Sequence, residues 1–155
     1  LVDPDNRRPV DYEARAALLD RLQAIEPAQA FAEWESGLPK LHVMRTCLAL
    51  RAEREASFAG GYTPVAISGD QGESFVAYLR GDDVLVVIRR VQPAATAEVV
   101  VTGTHATLAL PSGQWTDRLT GERYGGASGS AAQEILLSTL FERSPAAVLV
   151  RGETP

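Results

Sequence analysis

The ten residues Asp3-Pro4-Asp5-Asn6-Arg7-Arg8-Pro9-Val10-Asp11-Tyr12 hold the densest set of chemically capable side chains in this 155-residue sequence. Their carboxylates, amide and guanidinium forks can hydrogen-bond a polar ligand, each charged bond contributing ~1.5–3 kcal/mol once water is excluded. On this reading Asp5, Asn6, Arg7 and Arg8 are the candidate ligand contacts. A second reading stays open, in which Arg7 and Arg8 pair with Asp3, Asp5 or Asp11 and the prolines stiffen the segment. Adjacent arginines in extended chain point opposite ways, so only one of them can face a given cleft.

Other residue types offer less. His42 and His105 are distant in sequence and lack Cys or acidic neighbours at ligand spacing, which argues against zinc and leaves both as structural or exposed residues. Asp3-Pro4-Asp5-Asn6 lacks the glycine and the terminal glutamate of a calcium loop. Ser36 and Ser57 have no G-x-S-x-G context, and Cys47 has no partner base, so nucleophilic catalysis has no support. Arg80-Gly81-Asp82 matches an adhesion tripeptide, but a turn between two apolar strands accounts for it. Lys40 reads as a solvated residue at a helix start. Trp115 and Tyr124 could form a stacking platform, although a β-rich chain with 6% aromatic residues needs such rings in its core.

The elements that position these residues divide the chain in two. Prolines 4 and 9 favour an extended start, Asp11 is placed to cap a helix, and Tyr12, Ala16, Leu19, Leu22 and Ile25 form its expected buried stripe, with Pro27 as the stop. Residues 28–37 connect, with a short helix around Phe31 and Trp34. A second helix is expected from Lys40 to about Arg54, with Leu41, Met44 and Leu48 on one side and Val43, Cys47 and Leu50 on the next.

After Gly60-Gly61 the period becomes alternating. Strands are expected at Tyr62–Ser68, Ser74–Arg80, Val84–Arg90, Glu98–Thr102, Ala106–Leu110, Gln133–Leu137 and Ala146–Arg151, with a short hairpin around Trp115 and Tyr124. Gly81-Asp82-Asp83 is the tight link between the second and third, and residues 125–130 read as a flexible loop. Val84–Ile88 is apolar throughout, so it belongs in the middle of a sheet, buried on both faces. The expectation is an α+β chain: two N-terminal helices in residues 1–57, then an all-β antiparallel sandwich in 58–155.

Net charge is −5 and is shared by both halves, so no basic face exists to displace counterions from nucleic acid. Val84–Ile88 is the longest apolar run and is too short to span a bilayer. The single cysteine cannot form an internal disulfide and suits a buried thiol in the cytoplasm. With Leu at position 1 and nothing resembling a start before it, the sequence reads as a fragment of a longer protein.

The opening segment Leu1 to Tyr12 closely resembles the stretch that follows the eighth barrel strand in the malto-oligosyltrehalose synthase family of the α-amylase clan. The similarity continues through Leu38-Pro39-Lys40-Leu41, Leu48-Ala49-Leu50-Arg51, Phe58 to Tyr62, and Gly113-Gln114-Trp115-Thr116-Asp117-Arg118-Leu119-Thr120-Gly121. This resemblance implies that residues 1–57 are the tail of a (β/α)8 barrel and that the β-rich part packs against the barrel as a C-terminal domain. It implies a parent enzyme that converts the reducing-end α-1,4 bond of a maltodextrin to α,α-1,1. One carboxylate attacks the anomeric carbon and a second, ~5 Å away, acts as acid and then base, with no metal or organic cofactor. Those carboxylates would lie upstream of Leu1, leaving this chain inactive alone. Asp5, Asn6, Arg7 and Arg8 would then sit on a rim loop of the barrel, the face on which such enzymes build their sites, and contact glucose hydroxyls.

Two further readings compete. A free-standing carbohydrate-binding module would use strand aromatics such as Trp115. A purely structural domain would expose an apolar helix patch around Leu41 and Met44.

Overall fold

The computed structural model describes residues 9–90, 105–125 and 132–152. The strand expected at Glu98–Thr102 and the loop at 126–130 lie outside the described residues.

Helix α1, Tyr12–Ala24, begins where Asp11 accepts a hydrogen bond from Ala14 N at 2.9 Å. Its buried line is Leu18, Leu22 and Ile25, packed against Ala30, Leu38 and Leu41. Of the expected stripe, only Leu22 and Ile25 pack; Tyr12 is 77% exposed and Leu19 is also open to solvent. At about 100° per residue, Tyr12, Ala16 and Leu19 lie on the neighbouring face, and a list spaced by threes and fours had run across both faces.

Two 3-10 turns, Pro27–Ala32 and Trp34–Ser36, lead to Gly37, whose φ of +79° breaks the turn ahead of α2, Leu38–Glu53. The helix starts two residues earlier than expected, since Pro39 lies inside its first turn, where a missing N–H costs nothing. Val43, Cys47 and Leu50 pack with Phe31 against Val84, Val148, Val150 and Leu119. Met44 and Leu48 instead face outward, 50% and 64% exposed. Cys47 is half-buried rather than enclosed, and its thiol is pushed up by burial. A five-residue helix α3, Glu55–Ala59, ends the helical part.

Nine strands follow among the described residues: β1 Tyr62–Pro64, β2 Ile67–Ser68, β3 Phe75–Arg80, β4 Val84–Arg89, β5 Thr107–Leu110, β6 Trp115–Asp117, β7 Arg123–Tyr124, β8 Gln133–Leu136 and β9 Ala146–Arg151. They form two antiparallel sheets, a six-stranded one in the order β1-β3-β4-β9-β6-β7 and a three-stranded one in the order β2-β5-β8. The single strand expected at Tyr62–Ser68 is split between them. Pro64 cannot donate to a ladder, and after Val65 N bonds Ala77 O at 2.9 Å the chain crosses to the smaller sheet. The strand at Gln133 stops at Leu136, where a four-residue helix α4, Leu137–Leu140, takes over.

One core cluster joins both sheets: Phe75, Ala77, Leu85, Val87, Trp115, Ala147 and Leu149 from the larger, Leu108, Leu110 and Ile135 from the smaller. Phe75 stacks on Phe141 at 5.5 Å. Strand β4 is central as expected, with Leu85 and Val87 in this core and Val84 and Val86 beneath α2; Ile88, at the end of the run, is 39% exposed. Each fully buried Leu or Val contributes ~1.5–3 kcal/mol, so the larger sheet is stabilised from both faces.

Candidate functional site

Asp5, Asn6, Arg7 and Arg8 lie outside the described residues. Among the described residues a heavily bonded polar group is Asp117, at the end of β6, which is fully buried. Its Oδ1 accepts from Leu119 N and Val148 N, both at 3.0 Å, and its Oδ2 accepts from the Thr120 hydroxyl at 2.8 Å. Gly121 N closes the turn onto Asp117 O at 2.8 Å, with φ at +81°. Burial pushes the Asp117 carboxyl above the ordinary range, while the two backbone donors, Thr120 and the charge of His42 pull it back. With all its near neighbours supplied by its own turn and by β9, Asp117 organises a hairpin rather than a reacting centre.

His42 reaches this turn from α2. Its Nε2 lies 2.9 Å from Leu119 O, and because a carbonyl only accepts, Nε2 carries the proton. The ring also meets Phe31 edge-on at 5.6 Å. Sequence reasoning had set His42 aside as structural or exposed; it is buried and ties the helices to the β6–β7 turn. His105 is exposed. Among the described residues there is no group of three or more His, Cys, Asp or Glu side chains placed to hold a metal ion.

A second set of contacts fastens α2 and α3 to the β3–β4 hairpin. Asp83 accepts from the Ser57 hydroxyl at 2.5 Å and from Arg54 Nη1 at 3.2 Å. Arg80 donates to Phe58 O and lies over the Phe58 ring at 5.4 Å. The Arg80-Gly81-Asp82 tripeptide is therefore the end of β3 and the start of the Gly81-Asp82-Asp83 hairpin loop, with Gly81 at φ +59° and its arginine engaged within the fold.

Trp115 is fully buried, donates to Pro111 O at 2.9 Å and is covered by the Arg151 guanidinium at 5.0 Å. It offers no face to a sugar. Tyr124 is half-buried, and its hydroxyl is pushed up to about 12, by burial first and then by Asp117, Glu122 and Glu142. Ser36 bonds Glu33 O at 2.7 Å and receives Leu38 N at 3.1 Å, a turn role with no nucleophilic partner. Lys40 is exposed, as expected.

Two clefts flank the β6–β7 hairpin. One, of about 250 Å³, is lined by Leu22, Ile25, Pro27, His42, Arg45, Thr46, Ala49 and Arg118. The other, of about 320 Å³, lies among Thr120, Glu122, Arg123, Tyr124, Thr139, Leu140, Glu142 and Arg143, with Arg143 bonded to Glu122 at 2.8 Å. Neither contains a pair of convergent carboxylates free of basic partners, the arrangement glycoside chemistry requires.

No family model matches the sequence. In Mycobacterium tuberculosis, proteins from two strains, provisionally named maltooligosyl trehalose synthase, are 39% identical over 153 residues, which is 97% of this chain. The chain spans only 17% of the length of these curated relatives. The solved maltooligosyltrehalose synthase of Arthrobacter ramosus superposes with a TM-score of 0.73 at 31% identity, covering 98% of this chain and 18% of that one. A second solved maltooligosyl trehalose synthase, at 24% identity and a TM-score of 0.61, shares the fold. By sequence and by fold together, the chain is similar over nearly its whole length to one segment of the maltooligosyl trehalose synthase family.

Proposed function

We propose that this chain is the C-terminal part of a maltooligosyl trehalose synthase, an enzyme that moves the reducing-end α-1,4 bond of a maltodextrin to an α,α-1,1 bond. The observation that carries this reading is the 39% identity sustained over 97% of the chain. Residues 1–57 are the end of the catalytic barrel and 58–155 a β-sandwich domain; two antiparallel sheets with a shared core support the second half of that division. The catalytic carboxylates and the maltodextrin site belong to the part of the protein ahead of Leu1, so the chain has no activity of its own. Asp5, Asn6, Arg7 and Arg8 border that site and hydrogen-bond sugar hydroxyls. The chemistry needs no metal or organic cofactor, and the protein works in the cytoplasm.

The helices would then be covered on two sides, by the sandwich and by the barrel. Exposed Met44 and Leu48, one turn apart on the face of α2 next to that of Val43, Cys47 and Leu50, support that seating. The burial of Trp115 weighs against a free-standing sugar-binding module. The test is the intact protein on maltopentaose. A non-reducing product ending in a trehalose unit is expected, and Arg7→Ala or Arg8→Ala should raise KM several-fold. Glucose release alone, or no reaction, would sink the assignment.

A further inference from the structure

The cleft between α1, the Pro27–Ala32 turn, α2 and the β6–β7 turn is built for a charge that the rest of the described fold does not supply. Apolar Leu22, Ile25 and Pro27 share its lining with Arg45, Arg118 and Thr46, whose side chains carry two guanidinium groups and a hydroxyl. Arg118 is held in place by one bond to Glu53 at 2.7 Å, which uses one of its five N–H donors. Arg45 has no hydrogen bond or ion pair among the described residues. Two planar forks and a hydroxyl converging on one hollow suit an oxyanion, which accepts from all three. No carboxylate lines the cleft itself; Glu53, which holds Arg118, stands outside the lining.

His42 narrows the chemistry. Its Nε2–H is committed to Leu119 O, so in the neutral ring Nδ1 is a bare acceptor in the same lining. A ligand that complements the whole cleft presents an oxyanion to the arginines and Thr46 and a hydroxyl donor to the imidazole. The volume, about 250 Å³, suits a molecule about the size of one sugar ring. We propose that this cleft is a binding site for a small hydroxylated oxyanion of the sugar-phosphate class. The inference does not depend on the trehalosyl activity.

Isothermal titration of the intact protein with glucose 6-phosphate tests it. Saturable binding is expected, weaker for inorganic phosphate and absent for glucose. Arg45→Gln should weaken it about tenfold or more, and Thr46→Val by a smaller factor. Arg45 is exposed and forms no hydrogen bond or ion pair among the described residues, so its loss leaves the fold intact, and Lys40→Gln serves as a charge-matched control with unchanged affinity. Several outcomes would overturn the proposal: no saturable heat, equal affinity for glucose or for inorganic phosphate, or an Arg45→Gln protein that binds as the parent does. Maltopentaose conversion, measured on the same preparations, reports on the enzyme assignment alone, so failure of one reading is distinguishable from failure of the other.

Discussion

At the scale of single residues, Asp117 shows how a buried carboxylate can be structural. It satisfies Leu119 N and Val148 N, two donors that have no water to turn to, while its burial disfavours the charged form. Asp117→Ala leaves both donors unmet at ~1–3 kcal/mol each, so urea titration should show a loss of about 2–5 kcal/mol. Asp117→Asn keeps an oxygen at the Oδ1 position and a donor toward Thr120, and should cost much less. Because the folded carboxyl titrates above its unfolded counterpart, its stabilising contribution is complete below the unfolded value and fades as pH rises through the folded one. Parent stability should therefore gain on the Asn variant as pH falls from neutral toward the ordinary carboxylate value, the direction in which a raised carboxyl takes up its proton. A constant difference across that range would contradict the assignment. His42 belongs to the same network and could not be found from spacing. Its partner is a backbone carbonyl on a turn far along the chain, and no pattern of residue types announces such a bond.

Among the elements, the hairpins were the most legible feature and the sheet crossings the least. Gly81-Asp82-Asp83 is a tight link between two strand runs, and a link that short sets Arg80 opposite Val84, the observed register. The division of Tyr62–Ser68 between two sheets follows from Pro64 and from which edge lies nearby, and the second of these exists only in three dimensions. Gly125 marks another such place. At φ +89° beside β7, a Cβ on it would stand 2.1 Å from Gly113 O, a backbone atom that cannot swing aside. Gly125→Ala should destabilise by at least ~2 kcal/mol, combining the left-handed backbone cost with the clash. Gly61→Ala, with nothing within 4 Å of its added carbon, should stay within ~0.5 kcal/mol. Thermal melts of both variants decide it, and equal midpoints would mean that the β6–β7 hairpin yields.

For the molecule as a whole, the question is what covers α2. One face of the helix is fixed on the larger sheet, and Arg54, Ser57 and Asp83 lock its C-terminal end to the β3–β4 hairpin. If the neighbouring face of Met44 and Leu48 seats on the rest of the protein, Met44→Asp with Leu48→Asp should lower the stability of the intact protein by more than ~2 kcal/mol, where exposed sites change it by ~0.5 or less. A neutral result in a denaturation scan would place that face in solvent. Read by itself, the sequence determined the local grammar: the Asp11 cap, the two helices, the order of the strands, the tight turns and the central place of Val84–Ile88. These depend on near-neighbour sterics and on hydrophobic period, which residue types encode directly. Its most distinctive segment also pointed to the enzyme family. Tertiary structure alone decided which face of each helix is covered, that Trp115 is sealed beneath Arg151, and that His42, Arg45, Thr46 and Arg118 share one cleft. Arg118 stands more than seventy residues from Arg45 along the chain. Proximity of that kind is set by how the helices dock on the sheet, a balance of packing and desolvation summed over the whole fold.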